Sequence, residues 1–223
     1  MKKEGKSKTD VQGTRSIFFF NYTGPAEIYT LSLHGALPFY ADRCCFVDGR
    51  GKSVPADLMT ALLARDYLTR TPGAAIVYDL RSSWVVKQVI AEGGGEPIRD
   101  RVGHSFIKAT MRERGALFAG ELSGHFYFKD NFVCDSGVIA MVSAINLLGR
   151  QANAGKSLAD LVEDLRRYYS TGELNFRVQD KAAAIAELKS AYAQGEQDEL
   201  DGITVEFGGP GDEIGRASCR ERV

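Results

Sequence analysis

The middle of the chain alternates short continuous apolar runs with longer segments whose apolar residues recur every three or four positions. FVDGRGKSVPADLMTALLARDYLTR passes from a short apolar strand through a glycine-rich turn into a helix, with Pro55 near its first turn and Leu58, Ala61 and Leu62 on one face. GAAIVYDL, whose apolar run closes at Asp79, reads as a buried strand. Ser82 or Ser83 can cap the next helix, whose stripe of Val85, Val86, Val89 and Ile90 is stopped by Gly93, Gly94 and Gly95. EPIRDRV, HSFIKATMRER and ALFAGEL continue as strand, helix and strand, and HFYFK is a further strand. Helices are expected over about 135–148 and over 157–169, the second opened by an approximate capping box of Ser157 and Asp160. Strand alternating with helix predicts an α/β fold, a layered sheet flanked by helices.

From Gly172 the order changes to strand, helix, strand: ELNFRVQ, DKAAAIAELKSAYA and GITVEF. Two strands and one helix bury too little apolar surface to stand alone, so this stretch reads as a truncated α+β unit. Its open strands near Phe207 predict aggregation rather than a designed interface. Residues 1–40 show no repeating face beyond Phe18, Phe19 and Phe20, and no fold is expected of them. YTLSLHGALPF and EIGRASCRERV resemble translations of the two strands of a DNA-library adapter, which places the protein's own residues at about 41–208.

Composition narrows the chemistry. Of 223 residues, 44% are hydrophobic, enough to build cores. Lys and Arg number 28 against 29 Asp and Glu, so the overall charge of −1 asks for neither nucleic acid nor an anionic membrane. The four cysteines form no CxxC pair and no zinc-type cluster, and free thiols are expected. No apolar window approaches a membrane span and the Ile17–Phe20 run is too short for a signal-peptide core, so a cytoplasmic protein is expected. GRGKS and ANAGKS end like phosphate-binding loops, but the first glycine such a loop needs would fall at Phe46 and Arg150. Both read as polar turns.

The remaining polar clusters lie at strand exits. Asp79-Leu80-Arg81 closes a buried strand, Gly103-His104-Ser105 lies between strand and helix, and GELSGH, from Gly120, interrupts an apolar stretch between two strands. Ligands of α/β sheets bind at the carboxyl ends of strands, so these charged residues can converge on one ligand.

GELSGHFYFKD, preceded by RVGHSFIK and YDLRSS, resembles the third domain of the phosphohexomutases, in the phosphomannomutase/phosphoglucomutase branch. ADRCCFVDGRGKSVPADLMTALL is similar to the end of that family's second domain, and GELNFRVQDK to the start of its fourth. The resemblance covers nearly all of residues 41–208. It implies a domain order of 1–40 non-native or unstructured, 41–52 a remnant of the metal-loop domain, 53–170 the sugar-binding α/β domain, 171–208 a truncated fourth domain and 209–223 a read-through tail. Leu122 argues against the phosphoglucosamine mutase branch, which more usually carries Gln there and remains an alternative.

The resemblance implies an isomerase that moves a phosphoryl group between O1 and O6 of a hexose through a phosphoserine and a hexose 1,6-bisphosphate, with magnesium as cofactor and hexose phosphate as substrate. It assigns Glu121 and Ser123 to the sugar hydroxyls, Gly120 and Gly124 to close backbone approach, Arg81 and His104 to the reacting phosphoryl group, and Arg43 to the face of the phosphoserine. Strand alternation turns His125 away from Ser123. Against the family's D-G-D-x-D-R metal loop the chain reads PFYADR, so Asp42 alone is left as a vestigial ligand. No Ser-His-Asn-Pro phosphoserine motif and no Arg-x-Ser-Asn phosphate clamp occur in the 223 residues. The polypeptide is therefore expected to lack turnover while the whole enzyme is a mutase; the alternative is a non-catalytic module that binds a sugar phosphate.

Overall fold

The structure is a computed structural model that describes residues 17–20, 29–30, 42–150, 153–172, 174, 176–208 and 216–219, the first two and the last of these as backbone alone. At its centre is a five-stranded mixed sheet of β5 (Ala75–Asp79), β6 (Glu96–Asp100), β7 (Phe118–Gly120), β8 (Phe126–Phe128) and β9 (Cys134–Asp135), in the order β6-β5-β7-β8-β9. β6 and β7 flank β5 in parallel; β8 and β9 add antiparallel. All five residues of β5 are buried, as a strand covered on both faces requires.

Helices cover the two faces unequally. α1 (Ala56–Arg70) and α2 (Trp84–Glu92) pack on the face carrying Ile76, Tyr78, Phe118, Phe126 and Phe128, with α4 (Gly137–Leu148) and α5 (Leu158–Glu163) joining the same core. α3 (His104–Arg114) covers the other face through Ile107 and Met111, against Val77, Ala119 and Tyr127. The α/β class expected from the alternation is what the structure shows. α1 lies between the sheet and the outer helices, so Met59, Leu63 and Ala64 are buried along with the expected face of Leu58, Ala61 and Leu62. Ser83 is the cap of α2, its side chain accepting from the Val85 amide. Ser157 and Asp160 form a complete capping box on α5.

Before this domain, β3 (Cys45–Val47) and β4 (Ser53–Val54) form a hairpin that extends with β1 (Ile17–Phe20) and β2 (Tyr29–Thr30) into the order β2-β1-β3-β4. Cys44 and Phe46 join the main core. Two strands thus fall within residues 1–40, where the sequence predicts no fold; the rest of that segment lies outside the described residues. The GRGKS turn joins β3 to β4. There the Asp48 carboxylate accepts from the Arg50 and Lys52 amides at 2.9 Å, so the turn's backbone donors are already taken.

Three other expectations are corrected. The helix expected over 157–169 stops at Glu163, because the following residues turn back onto α2: Arg167 pairs with Glu92 at 2.6 Å and Tyr168 meets the Trp84 ring edge-on. ELNFRVQ is not a strand at its described residues; Leu174, Phe176 and Val178 are exposed and no strand pairs with them. Instead β10 (Glu196–Asp198), a polar segment with no apolar signal, pairs with β11 (Ile203–Glu206), and β12 (Arg216–Cys219), within the stretch read as a tail, pairs on its far side. This small sheet sits on the β6 edge, where Arg99 bonds both Glu206 (2.9 Å) and Asp198. α6 (Lys181–Ala191), expected from the sequence, buries no residue.

One contact sets how closely α1 approaches the sheet. A Cβ on Gly120, in the middle of the sheet, would lie 2.1 Å from Thr60 Oγ1 and 2.9 Å from Thr60 Cβ. Gly120→Ala should therefore destabilise the chain by about 1–3 kcal/mol through overpacking. Adding Thr60→Ala should restore much of the loss. Urea unfolding of the single and double variants checks this, and additive losses would contradict it.

Candidate active site at the carboxyl edge of the sheet

β6, β5 and β7 run parallel, with Asp79 opposite Asp100 and Tyr78 opposite Gly120, so their carboxyl ends form one edge. From it leave the three loops carrying His104, Arg81 and Glu121. Topology puts all three loops on one side of the sheet, and Asp79 joins those of Arg81 and Glu121.

Asp79 organises the edge. Its side chain is fully buried, and both oxygens are occupied. Oδ1 accepts from the Arg81 amide at 2.9 Å and the Ser82 hydroxyl at 3.4 Å; Oδ2 accepts from Arg81 Nη2 at 2.6 Å, Arg81 Nε at 3.2 Å and the Leu122 amide at 2.9 Å. A buried carboxylate is tolerable only when so surrounded. The turn after β5 is satisfied throughout: the Leu80 amide donates to Asp100 O, the Ser82 amide to Asp79 O and the Ser83 amide to Asp57 Oδ2. Arg81 keeps only a modest part of its side chain in solvent, so its cation is held at the edge. His104 is the exposed first residue of α3. Asp100 Oδ1 takes the Arg101 amide, while Oδ2 is buried with no hydrogen-bond partner among the described residues.

The β7–β8 connection is a tight hairpin. The Gly124 amide donates to Glu121 O at 3.0 Å, the Glu121 amide donates to His125 O at 2.9 Å, and Gly124 is left-handed with φ of 86°. Residues 42–45 run alongside it, the Cys44 amide donating to Gly124 O and Arg43 bridging to His125. Both glycines of this hairpin have a packing role within the fold. The space at Gly120 is filled by Thr60, and Gly124 serves the turn and the contact with Cys44.

The orientation expected of His125 is corrected. Its Nδ1 lies 2.9 Å from Ser123 Oγ, not turned away from it, and Arg43 Nε–H donates to its Nε2 at 3.2 Å. Residues two apart share one face of an extended chain, so His125 lies on the same side as Ser123, just ahead of β8. An arginine can only donate, so Nε2 accepts and Nδ1 carries the proton. Ser123 Oγ therefore accepts from His125 and donates to Glu121 Oε2 at 3.2 Å, while Tyr127 donates to Oε1. Tyr127 is fully buried, and burial, then the bond to Glu121, raises its phenol far above its ordinary value. Arg43, His125, Ser123, Glu121 and Tyr127 thus form one directed chain of hydrogen bonds. Glu121 is itself buried, with each oxygen already holding one donor. His125 and Tyr127 are the residues that sequence reasoning missed; the H-x-Y spacing after the loop is the only signal that could have pointed to them.

The donor set does not suit magnesium. Asp42 lies 3.6 Å from His125 Nε2 and, with Asp135, brings three potential ligand atoms within 4.8 Å of one another. Arg43 and Lys108 already occupy His125 and Asp135, Lys108 at 2.8 Å, and magnesium prefers an octahedron of oxygens. The rest of PFYADR lies outside the described residues.

The family model "Phosphoglucomutase/phosphomannomutase, alpha/beta/alpha domain III" matches residues 55–169. The chain belongs to the phosphoglucomutase/phosphomannomutase family. It is 39% identical over 164 residues to a phosphomannomutase of Methanocaldococcus jannaschii, covering 74% of this chain and 36% of that protein. It is 37% identical over 170 residues to the phosphohexose mutases of Xanthomonas campestris, covering 75% of this chain and 37% of theirs. The crystal structure of a phosphoglucomutase/phosphomannomutase family protein from Burkholderia thailandensis superposes with a TM-score of 0.63 at 28% identity, over 79% of this chain and 39% of that one. The chain thus spans little more than a third of the length of these relatives. Among the described residues no helix is long and apolar enough to cross a membrane.

Two outcomes test this geometry. Tyr127→Phe removes a donor from a buried carboxylate and should cost about 1–3 kcal/mol, read by urea unfolding; no loss would mean Glu121 finds another donor. Asp57, behind the edge, has its carboxyl raised above the ordinary aspartate range by burial, against the pull of the Ser83 and Leu58 amides. Because the folded value exceeds the unfolded one, its contribution to stability is fullest below the ordinary range and declines as pH rises through the raised value. Carboxyl carbon NMR should place the Asp57 midpoint above that of a free aspartate; a midpoint at or below it contradicts the desolvation argument.

Proposed function

We propose that this chain is the sugar-reading part of a phosphomannomutase/phosphoglucomutase, an isomerase that interconverts hexose 1-phosphate and hexose 6-phosphate through a phosphoserine and a hexose 1,6-bisphosphate. The observation that carries the reading is the joining of the Arg81 loop and the Glu121–Ser123 loop through one buried carboxylate at the carboxyl edge of adjacent strands. That edge presents a cation to phosphoryl oxygens and a carboxylate with an alcohol to hydroxyls.

In this reading a sugar hydroxyl donates to Glu121 Oε2 in place of Ser123, whose hydroxyl then rotates to a neighbouring sugar oxygen. A carboxylate offers about four lone-pair positions, so Tyr127 can keep its bond throughout. A hexose gripped by two adjacent ring hydroxyls presents the same edge whichever end carries the reacting phosphate, so one loop serves both half-reactions. Glucose and mannose, which differ at C2, are not separated by it. Arg81 steadies the developing charge, and His104, at the start of α3, lies where a phosphate or a proton can be exchanged. Arg43 acts through His125 on Ser123. When bound elsewhere in a complete enzyme, magnesium would supply Lewis-acid stabilisation to the phosphoryl oxygens; no step here is assigned to it.

This chain itself is proposed to bind hexose phosphate without turning it over, in the cytoplasm. In support, the 223 residues carry no phosphoserine motif, and Asp42 is the one loop carboxylate that remains. A coupled assay of glucose 1-phosphate conversion, with magnesium and glucose 1,6-bisphosphate, should give no rate above background. NMR titration with glucose 1-phosphate should give saturable shifts at residues 121–125, weakened roughly tenfold or more in Glu121→Ala. Turnover would refute the assignment of inactivity, and equal affinities would refute the role of Glu121.

A further inference from the structure

Arg81 and the 121–124 hairpin both touch Asp79. Asp79 is the last residue of β5, fully buried, and points no free oxygen toward a ligand. Its Oδ2 is shared: the Arg81 guanidinium reaches it from one side through Nη2 and Nε, and the Leu122 amide, 43 residues on in sequence, reaches it from the other. The hairpin's remaining ties, through Tyr127, His125 and Cys44, run to β8 and the 42–45 segment rather than toward Arg81.

We propose that Asp79 is a positioning residue that makes the Arg81 cation and the Glu121–Ser123 hairpin one mechanical unit, so that a phosphoryl group drawn to Arg81 and a sugar edge seated on the hairpin reinforce each other's binding through a shared carboxylate. The inference rests on reading these two loops as one hexose phosphate site. Arg81 draws charge from Oδ2, and the Leu122 amide competes for the same oxygen, so any ligand that shifts the guanidinium alters the acceptor on which the hairpin hangs. Coupling of this kind is reciprocal: what is felt at Leu122 when Arg81 changes is felt at Arg81 when the hairpin is occupied. Asp57 supports the arrangement from behind by holding the Ser83 amide, and so keeps the Arg81 turn from moving independently of α1.

The test uses the full chain labelled with 15N. Without any ligand, Arg81→Gln, which leaves Asp79 in place, should displace the Leu122 amide resonance and change its hydrogen exchange, while amides of α3 outside the site stay fixed. In Asp79→Asn, Leu122 exchange should accelerate about tenfold, as expected for losing a charged acceptor, and a further Arg81→Gln should leave Leu122 unmoved. A Leu122 amide indifferent to Arg81→Gln overturns the proposal, even if Asp79→Asn fails to fold. With glucose 1-phosphate, the Arg81 Nε and Leu122 amide resonances of the wild type should shift along a single binding curve, and Asp79→Asn should weaken binding about tenfold. Separate curves for the two groups overturn the coupling. Absence of binding by the wild type refutes the hexose phosphate reading instead, and the ligand-free comparison still decides whether Asp79 links the loops.

Discussion

A carboxylate sealed away from water must be met by donors or it will not stay charged, and at the carboxyl edge of this sheet that requirement is placed on Asp79. Its neighbours are fixed accordingly: the turn after β5 curls back so that Arg81 and Ser82 face it, and the hairpin after β7 approaches so that the Leu122 amide reaches it. The geometry of the candidate site is in this sense a consequence of desolvation. Two loops that would otherwise be independent surface connections are drawn to one oxygen.

The layers beneath make that approach possible. Gly120 lets α1 settle on the sheet with Thr60 in the place of a side chain, which fixes the height of β7 and so of the hairpin it carries. The Phe-Tyr-Phe alternation of β8 sends Phe126 and Phe128 into the core with α1 and Tyr127 to the α3 face, where its hydroxyl meets Glu121. Phe118 stacks on Phe126 across the register, with centroids 6.3 Å apart, so the strands that flank the hairpin are held by aromatic packing. The polar chain above them, from Arg43 to Tyr127, is satisfied member by member, which is the condition under which a buried network orders a site rather than weakening it.

Much of this was legible in the chain. The alternation of apolar runs with helical stripes determined the α/β layers, Ser83 and the Ser157–Asp160 box marked helix starts, and the glycines after α2 marked its end. The polar clusters at three strand exits lie along one edge, since parallel strands end on the same side whatever their order. Less could be read where a partner was needed: ELNFRVQ has the alternation of a strand but no pairing neighbour among the described residues, and Glu196–Asp198 has no such pattern yet pairs with β11. Pattern reports which face a residue would bury, whereas pairing depends on which edge is free.

Sequence by itself determined most elements of the α/β domain, the family to which the chain belongs and several of the residues that could do chemistry. Tertiary structure decided which of those residues meet. Arg43 and His125 are 82 positions apart and bond beside the hairpin turn; Glu121, an acidic residue in a polar loop, lies buried; Gly120 meets Thr60 of a helix. Local propensity carries no information about such contacts, because they depend on strand register and on how far desolvated groups pull their donors toward them.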